Sequence, residues 1–372
     1  MINQERVVSQ FLEFVQINSE TTQEREIADY LLALLTKLGL EVEEDDTADA
    51  TGHQAGNIIA KLPATMSDAK AIYFTSHMDT VVPGTDIKPV IRDQVIYSDG
   101  TTILGADDKA GLTAIIELIH LLQEYPIPHG DIYFAIMSGE ESGLAGSKLF
   151  DAKKLPAAFG YALDSDGEIG TIVVAAPAQA KIQALIKGKA AHAGVQPEKG
   201  ISAISITAKA ITRMPLGRID EETTANIGSF VGKGPTNIVC DQVQLVAEAR
   251  SLDSDKLNQQ VSKMEEALRT AARQMGGEAE VDVAYLYPNY RFEESDEVVQ
   301  VAVNAIKQMK KTPKLTVSGG GSDANNIAGK GIPTVNLAVG YRHIHTKNES
   351  IAIQDLTEIP LLMYHIVKEA VK

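Results

Sequence analysis

The sequence predicts an α/β protein whose mostly parallel sheet has helices on both faces and carries a smaller α+β domain as an insertion. In the outer parts of the chain, short apolar strands alternate with helices, and this alternation is typical of a parallel sheet covered on both faces. From about residue 178 to residue 288 the order becomes strand, helix, strand, strand, helix, strand. That order is typical of a ferredoxin-like unit, which can form a domain of its own.

The outer elements are predicted from hydrophobic periodicity and composition. Helices are expected at 1–16, 25–40, 109–125 and 295–309, and strands at 57–62, 71–76, 131–137, 158–164 and 333–339. The change of pattern sets the domain boundaries. Residues 1–177 and 289–372 should form one discontinuous α/β domain, and residues 178–288 should form the inserted domain.

The composition limits the class of partner. The 372 residues carry a formal net charge of −16, which argues against nucleic acid or an anionic membrane. Cys240 is the only cysteine, so an intrachain disulfide is impossible and a reducing compartment is expected. No secretory signal and no apolar run of the roughly 20 residues that cross a bilayer is recognised. We therefore expect a soluble, cytoplasmic protein.

Histidines and carboxylates follow the predicted strands at the points where the strands end. Ligands of open α/β sheets bind at the carboxyl ends of the strands, so these side chains should lie close together. They are His77 and Asp79 in SHMDT, Asp107 and Asp108 in LGADDKAG, Glu140 and Glu141 in SGEESG, Asp164 in LDSDG, and His343 and His345 in YRHIHTKNE. Ordinary surface charges at strand ends would not place this many histidines and carboxylates at one edge of a sheet.

Histidine and carboxylate without thiolate is the donor set of a hydrolytic zinc, manganese or cobalt site. One catalytic ion needs about three protein ligands and an open position. Five ligands from separate segments therefore predict two ions, about 3.5–4 Å apart. Side chains of adjacent residues at a strand end diverge, so Glu140 and Glu141 can have different functions.

Five motifs in order, SHMDTVVPG, GADDKAG, SGEESG, LDSDG and HTKNES, resemble the M20 family of co-catalytic metallopeptidases, and within it the peptidase T branch of tripeptide aminopeptidases. The resemblance covers the whole chain. It implies the fold of the di-zinc exopeptidases, hydrolysis of amide bonds of short peptides, and an inserted domain that acts as a lid and often forms a homodimer.

The resemblance also implies a function for each residue of the cluster. His77 and Asp164 would bind one ion, Glu141 and His345 the other, and Asp107 would bridge them. Glu140 would be the general base, Asp79 would orient His77, and the peptide bond between Asp107 and Asp108 would be cis. The His-x-x-x-Glu spacing to Glu349 favours His345 over His343 as the ligand.

Three residues of the inserted domain are further candidates. His192, in GKAAHAG, is a surface or hinge residue on spacing alone, whereas the resemblance implies an oxyanion donor. Asn237, in GPTNIVC, is either a turn residue or the family's substrate-contacting asparagine. Arg250, in AEARSLD, is either a partner in a sheet-surface ion pair or the family's arginine for the substrate carboxylate.

The glycine-rich segment SGGGSDANN (318–326) offers Gly320, Gly321 and Ser322 as substrate contacts. With Ser322 as the N-cap of a helix, backbone N–H groups here can hold an anion. Peptidase T carries an arginine where this chain has Gly319, so strict tripeptide specificity is not expected. His53, by contrast, fits a loop position and requires no function.

Three functions are compatible with this sequence. The first is a di-metal exopeptidase for short peptides, with zinc as the expected metal and cobalt or manganese as alternatives. The second is an N-acyl-amino-acid amidohydrolase with the same metal centre. The third is a non-catalytic ligand-binding α/β protein, which the complete set of base and ligands and the lack of a phosphate-binding loop argue against.

Overall fold

The computed structural model describes all 372 residues, which fall into two units. The outer unit consists of Met1–Ala175 and Arg291–Lys372, and the inserted unit of Ala176–Tyr290. The helices are α1 (Gln4–Gln16), α2 (Arg25–Lys37), α3 (Thr47–Thr51), α4 (Ala106–Glu124), α5 (Ala145–Leu149), α6 (Ala203–Ile211), α7 (Ser254–Gln274), α8 (Glu297–Gln308), α9 (Asp323–Gly329) and α10 (Ile353–Glu369). None of them combines the length and apolar composition that crossing a membrane requires.

The strands are β1 (Glu41–Glu44), β2 (Ile58–Leu62), β3 (Ile72–His77), β4 (Pro89–Arg92), β5 (Val95–Ser98), β6 (Ile132–Met137), β7 (Phe159–Ser165), β8 (Thr171–Ala176), β9 (Ala178–Lys187), β10 (Gly217–Arg218), β11 (Thr223–Val231), β12 (Gln242–Ser251), β13 (Glu278–Tyr287), β14 (Tyr290–Arg291), β15 (Lys314–Val317), β16 (Thr334–Ala338) and β17 (Ser350–Ala352). Two short 3₁₀ helices occupy Ala152–Lys154 and Pro197–Lys199.

The outer unit is built around a nine-stranded sheet. Its order is β1-β2-β6-β3-β7-β16-β8-β14, and β15 also pairs with β8. The four central strands β6, β3, β7 and β16 are parallel. The strands β1 and β2 pair antiparallel with their neighbours, and β8 pairs antiparallel with β16 but parallel with β15. The predicted mostly parallel sheet is therefore confirmed, with antiparallel strands on both sides of the parallel centre.

Both faces of the sheet are covered, as the uniformly apolar strands predict. Along β3, Ile72 and Phe74 pack in the hydrophobic cluster that includes α1, α2, α4, α8 and α10. Tyr73, between them, faces the opposite cluster with Phe150 and with Ile327 of α9. Because alternate residues of a strand point to opposite faces, a strand buried on both sides must be apolar at every position.

Aromatic rings on adjacent central strands align those strands. Phe74 of β3 is opposite Phe134 of β6 and Tyr161 of β7 in the register. Its ring stacks on both, with centroid distances of 6.3 Å and 5.9 Å. Such pairs contribute about 0.5–1.5 kcal/mol each beyond burial of their area. A slip of one residue would break both contacts and turn every side chain to the wrong face, so the three carboxyl ends lie side by side.

The inserted unit has the predicted order of elements. Its sheet runs β10-β11-β12-β9-β13 and every pair is antiparallel. The short strand β10 is not among the elements predicted for this unit. Helices α6 and α7 pack on the apolar face of the sheet, and Asp253 caps α7 by accepting hydrogen bonds from the N–H groups of Asp255 and Lys256.

Several elements are not among the predicted ones. The strands β4, β5 and β17 form a separate three-stranded sheet, in which β17 pairs with a segment about 250 positions earlier in the chain. The helix α10 contains Pro360, a residue that removes a backbone donor and disfavours a helix interior. Tertiary packing of its buried face against α4 and α8 stabilises this helix instead.

Candidate metal centre

Six of the nine predicted histidines and carboxylates of the outer unit form ligand groups at one edge of its sheet, and His343, the alternative to His345, is in none of them. The adjacent parallel strands β6, β3 and β7 each present acidic or histidine side chains at or just after their carboxyl ends, and the start of α4 and the loop after β16 supply the others. The ligand atoms form three groups in which all atoms lie within 4.8 Å of one another. The groups are His77, Asp107 and Asp164; His77, Glu140 and Glu141; and Asp107, Glu141 and His345.

Asp107 lies between the two histidines. Its Oδ1 is 3.0 Å from His77 Nε2, and its Oδ2 is 3.2 Å from His345 Nε2. Asp164 Oδ1 lies 3.8 Å from the same nitrogen of His77, and Glu141 Oε1 lies 3.0 Å from the same nitrogen of His345. A carboxylate whose two oxygens face two histidine–carboxylate pairs has the arrangement that a bridging ligand of two ions requires.

The electrostatics of the cluster fit cations. Glu141 Oε1 is buried, and His345 Nε2 lies 3.0 Å from it. Hydrogen bonding to Asp107, and then to Glu141, raises the pKa of His345 to about 10. Burial opposes a charge on His77, but its hydrogen bonds to Asp107 and Asp79 nevertheless raise its pKa well above the usual value. The carboxylates therefore attract positive charge to both rings, and imidazoles with carboxylate oxygens suit zinc, manganese or cobalt.

Asp79 links His77 to the turn that carries the two glutamates. It is fully buried. Its Oδ1 accepts a hydrogen bond from the N–H of Glu140 (3.0 Å) and its Oδ2 one from the N–H of Glu141 (3.1 Å). His77 Nδ1 lies 3.0 Å from the backbone oxygen of Asp79 and 3.5 Å from its Oδ1. Because both neighbours of Nδ1 are acceptors, Nδ1 carries a proton and Nε2 is left to face the cluster.

Glu140 belongs to the cluster, but no hydrogen bond or ion pair engages its carboxyl group. Burial, and after it the charge of Asp164, raise the pKa of Glu140 well above its usual range, against the attraction of His77. This carboxyl group lies beside the ligand set, has a raised pKa and has no fixed partner. It is therefore suited to accept a proton and to return it.

In the sequence, the position of Glu349 served only to favour His345 over His343 as a ligand. Its buried carboxylate accepts hydrogen bonds from the N–H groups of Leu104 and Gly105 at 2.8 Å each, and from that of Asp107 at 2.9 Å. It thereby holds the segment that presents Asp107. The His-x-x-x-Glu spacing is a signal for this residue, but the spacing does not reveal contacts to residues 242 or more positions earlier.

The two residues after Asp107 are in none of the ligand groups. Asp108 Oδ1 accepts a hydrogen bond from the N–H of Gly111 at 3.0 Å, and the peptide bond between Asp107 and Asp108 is cis, as the resemblance implies. Lys109 is fully buried, and its Nζ donates to Ser19 Oγ at 2.6 Å and to the backbone oxygen of Met78. Burial lowers the pKa of Lys109 to about 8, although the nearby carboxylates oppose that shift.

Two of the candidates in the inserted unit lie on paired segments. The N–H of Ala193 donates to the backbone oxygen of Asn237 at 2.9 Å, which places Asn237 beside His192. The exposed His192 accepts hydrogen bonds at Nδ1 from the N–H groups of Gly194 (3.2 Å) and Val195 (3.1 Å). Since Nδ1 is the acceptor, the neutral ring carries its proton on Nε2. Such a ring can donate a hydrogen bond to a substrate oxygen.

Arg250 forms the ion pair that the sequence left open as an alternative to substrate binding. On β12, its Nε and Nη2 donate to the two carboxylate oxygens of Glu248 at 3.0 Å and 3.2 Å. Gln179 of β9 also donates to Glu248, at 2.6 Å. The structure thus provides a partner for Arg250 within its own sheet.

The glycine-rich segment has the predicted helix start, with Ser322 as the N-cap of α9. The N–H of Ser322 donates to Asn325 Oδ1, and the N–H of Gly320 donates to Ser318 Oγ, both at 3.0 Å. Two of the three backbone donors proposed for an anion are therefore engaged within the segment, which leaves that of Gly321.

Known proteins resemble this chain over its full length. The model of peptidase family M20/M25/M40 matches residues 73–369. The structure of aminopeptidase PepT from Bacillus cereus ATCC 10987 is 60% identical and superimposes with a TM-score of 0.95 over 100% of both chains. A tripeptidase from Staphylococcus aureus subsp. aureus Mu50 is 46% identical, with a TM-score of 0.97 over 100% of this chain and 99% of that one. Peptidase T of Clostridium novyi (strain NT) is 27% identical over 93% of this chain and 95% of the relative.

Proposed function

The chain belongs to peptidase family M20/M25/M40, and from this premise we propose that it is a di-metal aminopeptidase of the peptidase T type that removes residues from short peptides. The observation that carries the proposal is the position of Asp107, whose two oxygens face His77 and His345 separately. The names of the relatives, an aminopeptidase, a tripeptidase and a peptidase T, support the substrate class. None of them supports the N-acyl-amino-acid alternative.

Each residue of the cluster has one function in this proposal. His77 and Asp164 would hold one ion, Glu141 and His345 would hold the other, Asp107 would be a ligand of both, and Asp79 would orient His77. We propose zinc as the ion, with cobalt or manganese as substitutes, because imidazole and carboxylate donors accept all three. When bound, the ions act as Lewis acids toward the peptide carbonyl group and lower the pKa of a water molecule in the site.

The protein's own groups then move the protons. Glu140 accepts a proton from the water that attacks the carbonyl carbon, and burial, which raises the pKa of Glu140 above its usual range, favours this acceptance. It next delivers the proton to the nitrogen of the leaving amine. Asp79 keeps the N–H groups of Glu140 and Glu141 at 3.0 Å and 3.1 Å from its carboxylate, so the base and its neighbouring ligand stay in fixed positions.

The fully loaded protein should contain two divalent ions per chain. The five ligand side chains are too many for one catalytic ion, and they divide around Asp107 into two sets. Dialysis against zinc, manganese or cobalt followed by metal analysis measures the ratio, which should approach two equivalents. A firm plateau at one equivalent together with full activity would exclude the paired-ion arrangement.

Hydrolysis of a peptide panel tests the proposed function. We expect di- and tripeptides with a free amino terminus to be cleaved when metal is present, and cleavage to stop after treatment with a chelator. Because Gly319 provides no arginine for a peptide carboxylate, tripeptides should not be strictly preferred. Cleavage of N-acyl amino acids without cleavage of free peptides would contradict the proposal.

For His192 we propose the oxyanion-donor function that the resemblance implies. Its Nδ1 is occupied by two backbone N–H groups, which places the ring proton on Nε2. A preorganised oxyanion donor contributes about 10²–10³ in kcat. We therefore expect His192→Ala to lower kcat by that factor in steady-state kinetics on a tripeptide, while metal content and Tm stay near the wild-type values. A near-normal kcat would show that His192 of the inserted unit takes no part in the reaction.

If the protein is a homodimer, a mixture of two inactive variants identifies the chain that provides His192. Reassembly of His192→Ala with Glu140→Gln restores about one competent site per heterodimer only when His192 acts on the site of the other chain. Activity that stays at the level of the separate variants means that both residues serve one chain.

We further propose a homodimer formed through the inserted unit and a cytoplasmic location. The inserted unit exposes large apolar side chains at Ile204, Phe230, Val231 and Ile238, each 39–44% accessible, as an association surface would. The single free cysteine, Cys240, agrees with a reducing compartment. Sedimentation of the wild type against Phe230→Glu measures the association.

A further inference from the structure

His53 lies against the turn that carries Glu140, although its sequence context indicates no function. We define the base turn as residues 138–142, Ser-Gly-Glu-Glu-Ser. The His53 side chain is only 6% exposed, and a Cβ atom built on Gly139 would lie 2.1 Å from His53 Cε1. No real Cβ makes such a short contact, so the ring occupies the space that a side chain at position 139 would need. Gly139 also has a φ of +66°, which favours glycine.

A chain of polar contacts connects this ring to both sides of the base turn. His53 Nδ1 is 3.0 Å from Glu24 Oε1, and His53 Nε2 is 3.3 Å from Ser142 Oγ. Ser142 Oγ donates in turn to the backbone oxygen of Gly139 at 3.0 Å. The ring therefore touches the residue before Glu140 by packing and the residue after Glu141 by a hydrogen bond.

Glu24 gives the ring a fixed support. Its carboxylate is fully buried, and its Oε1 also accepts a hydrogen bond from the N–H of Thr22 at 2.7 Å. Burial raises the pKa of Glu24, and the nearby charge of Asp79 adds to that shift. Glu24 thus lies close to the aspartate that holds the N–H groups of Glu140 and Glu141. Asp79 thus holds the base turn at Glu140 and Glu141, and His53 contacts it at Gly139 and Ser142.

The serine, histidine and glutamate do not form a second nucleophilic site. Ser142 Oγ has one proton, and the backbone oxygen of Gly139 at 3.0 Å competes for it with His53 Nε2 at 3.3 Å. A nucleophilic serine would need to give its proton to the histidine instead. The contacts therefore point to a structural support for the turn.

We propose that His53, held by Glu24, is a positioning residue that sets the place of the Glu140 carboxyl group in the catalytic cycle. This inference rests on the proposed function, because it assigns the turn's purpose to Glu140 as the base. Small displacements of a catalytic group lower turnover strongly, and about 1 Å can cost about 100-fold. Loss of the ring should accordingly act on kcat more than on KM.

Two substitutions of His53 separate positioning from stability. His53→Ala removes the ring and leaves the buried Glu24 without its partner. His53→Asn keeps a donor near the place of Nδ1 for Glu24, but lacks the ring atoms that contact Gly139 and Ser142. We expect His53→Asn to retain the Tm of the wild type and both variants to retain two metal equivalents. Both should lower kcat on a tripeptide about tenfold or more with little change in KM.

The matched control is His129→Ala. His129 is also a buried histidine of the outer unit, 5% exposed, with its Nδ1 2.7 Å from a backbone oxygen. It lies just before β6, at the other end of the strand that leads into the base turn. This variant should keep the wild-type kcat. A fall in kcat that equals the one in His53→Asn would overturn the proposal, since general loss of stability would then explain both.

Amide hydrogen exchange of the metal-free protein gives a readout that does not depend on activity. In His53→Asn the N–H groups of Glu140 and Glu141 should exchange about tenfold faster than in the wild type, whereas His129→Ala should leave them unchanged. Wild-type exchange and wild-type kcat in His53→Asn would overturn the proposal. If the wild type hydrolyses no peptide, the proposed function fails, and the exchange rates still decide whether His53 positions the turn.

Discussion

Glu140→Gln should lose most of its turnover and keep both metal ions. The amide has the size of the carboxylate, but it cannot take a proton from water or return one to the leaving amine. A positioned acid–base group is worth about 10²–10⁴ in rate, so kcat on a tripeptide should fall by about 10³ while KM stays close to the wild-type value. Steady-state kinetics and metal analysis of the same preparation measure both quantities.

Glu141→Gln is the matched comparison because the two glutamates are adjacent in one turn, and Asp79 holds the N–H groups of both. Glu141 Oε1 lies 3.0 Å from His345 Nε2, so loss of the Glu141 carboxylate should weaken the binding of one ion and leave the base intact. Added metal should restore part of its activity and none of that of Glu140→Gln. Equal loss of metal in both variants, with rescue of both by excess metal, would show that the two functions are assigned wrongly.

Asp107→Asn should lose both ions together. The side chain is buried and faces both histidines, and the amide supplies only one oxygen and no charge. Removal of a partner that merely supports a ligand already costs about 10–100-fold in metal affinity. We therefore expect both affinities to fall by more than about 100-fold and peptide hydrolysis to reach the background rate. Metal titration followed by calorimetry measures the two affinities.

Asp108→Asn is the control for that substitution. Asp108 is the next residue and equally buried, but its Oδ1 accepts the N–H of Gly111, and asparagine retains this acceptor. Two ions should stay bound in Asp108→Asn. Retention of one tightly bound ion in Asp107→Asn would instead show that Asp107 serves a single ion and is no bridge.

The fold was predictable to the extent that each element carries its own pattern. The central strands are apolar at every position because both of their faces are buried, and that pattern is visible without a structure. The elements that sequence reasoning missed depend on distant partners. β17 is a three-residue strand that pairs with β5. The helix α10 forms despite Pro360 because its buried face packs in the hydrophobic cluster that also includes α4 and α8.

The fold class, the inserted unit and the set of groups at the edge of the sheet were predictable from the residues alone, because parallel strands bring their carboxyl ends together. How these groups face one another became visible in the folded protein. Asp107 stands between His77 and His345, Glu349 holds Asp107 from a distant loop, and His53 packs against Gly139. These contacts join residues far apart in the chain. Their distances follow from the packing of whole elements, which no local pattern records.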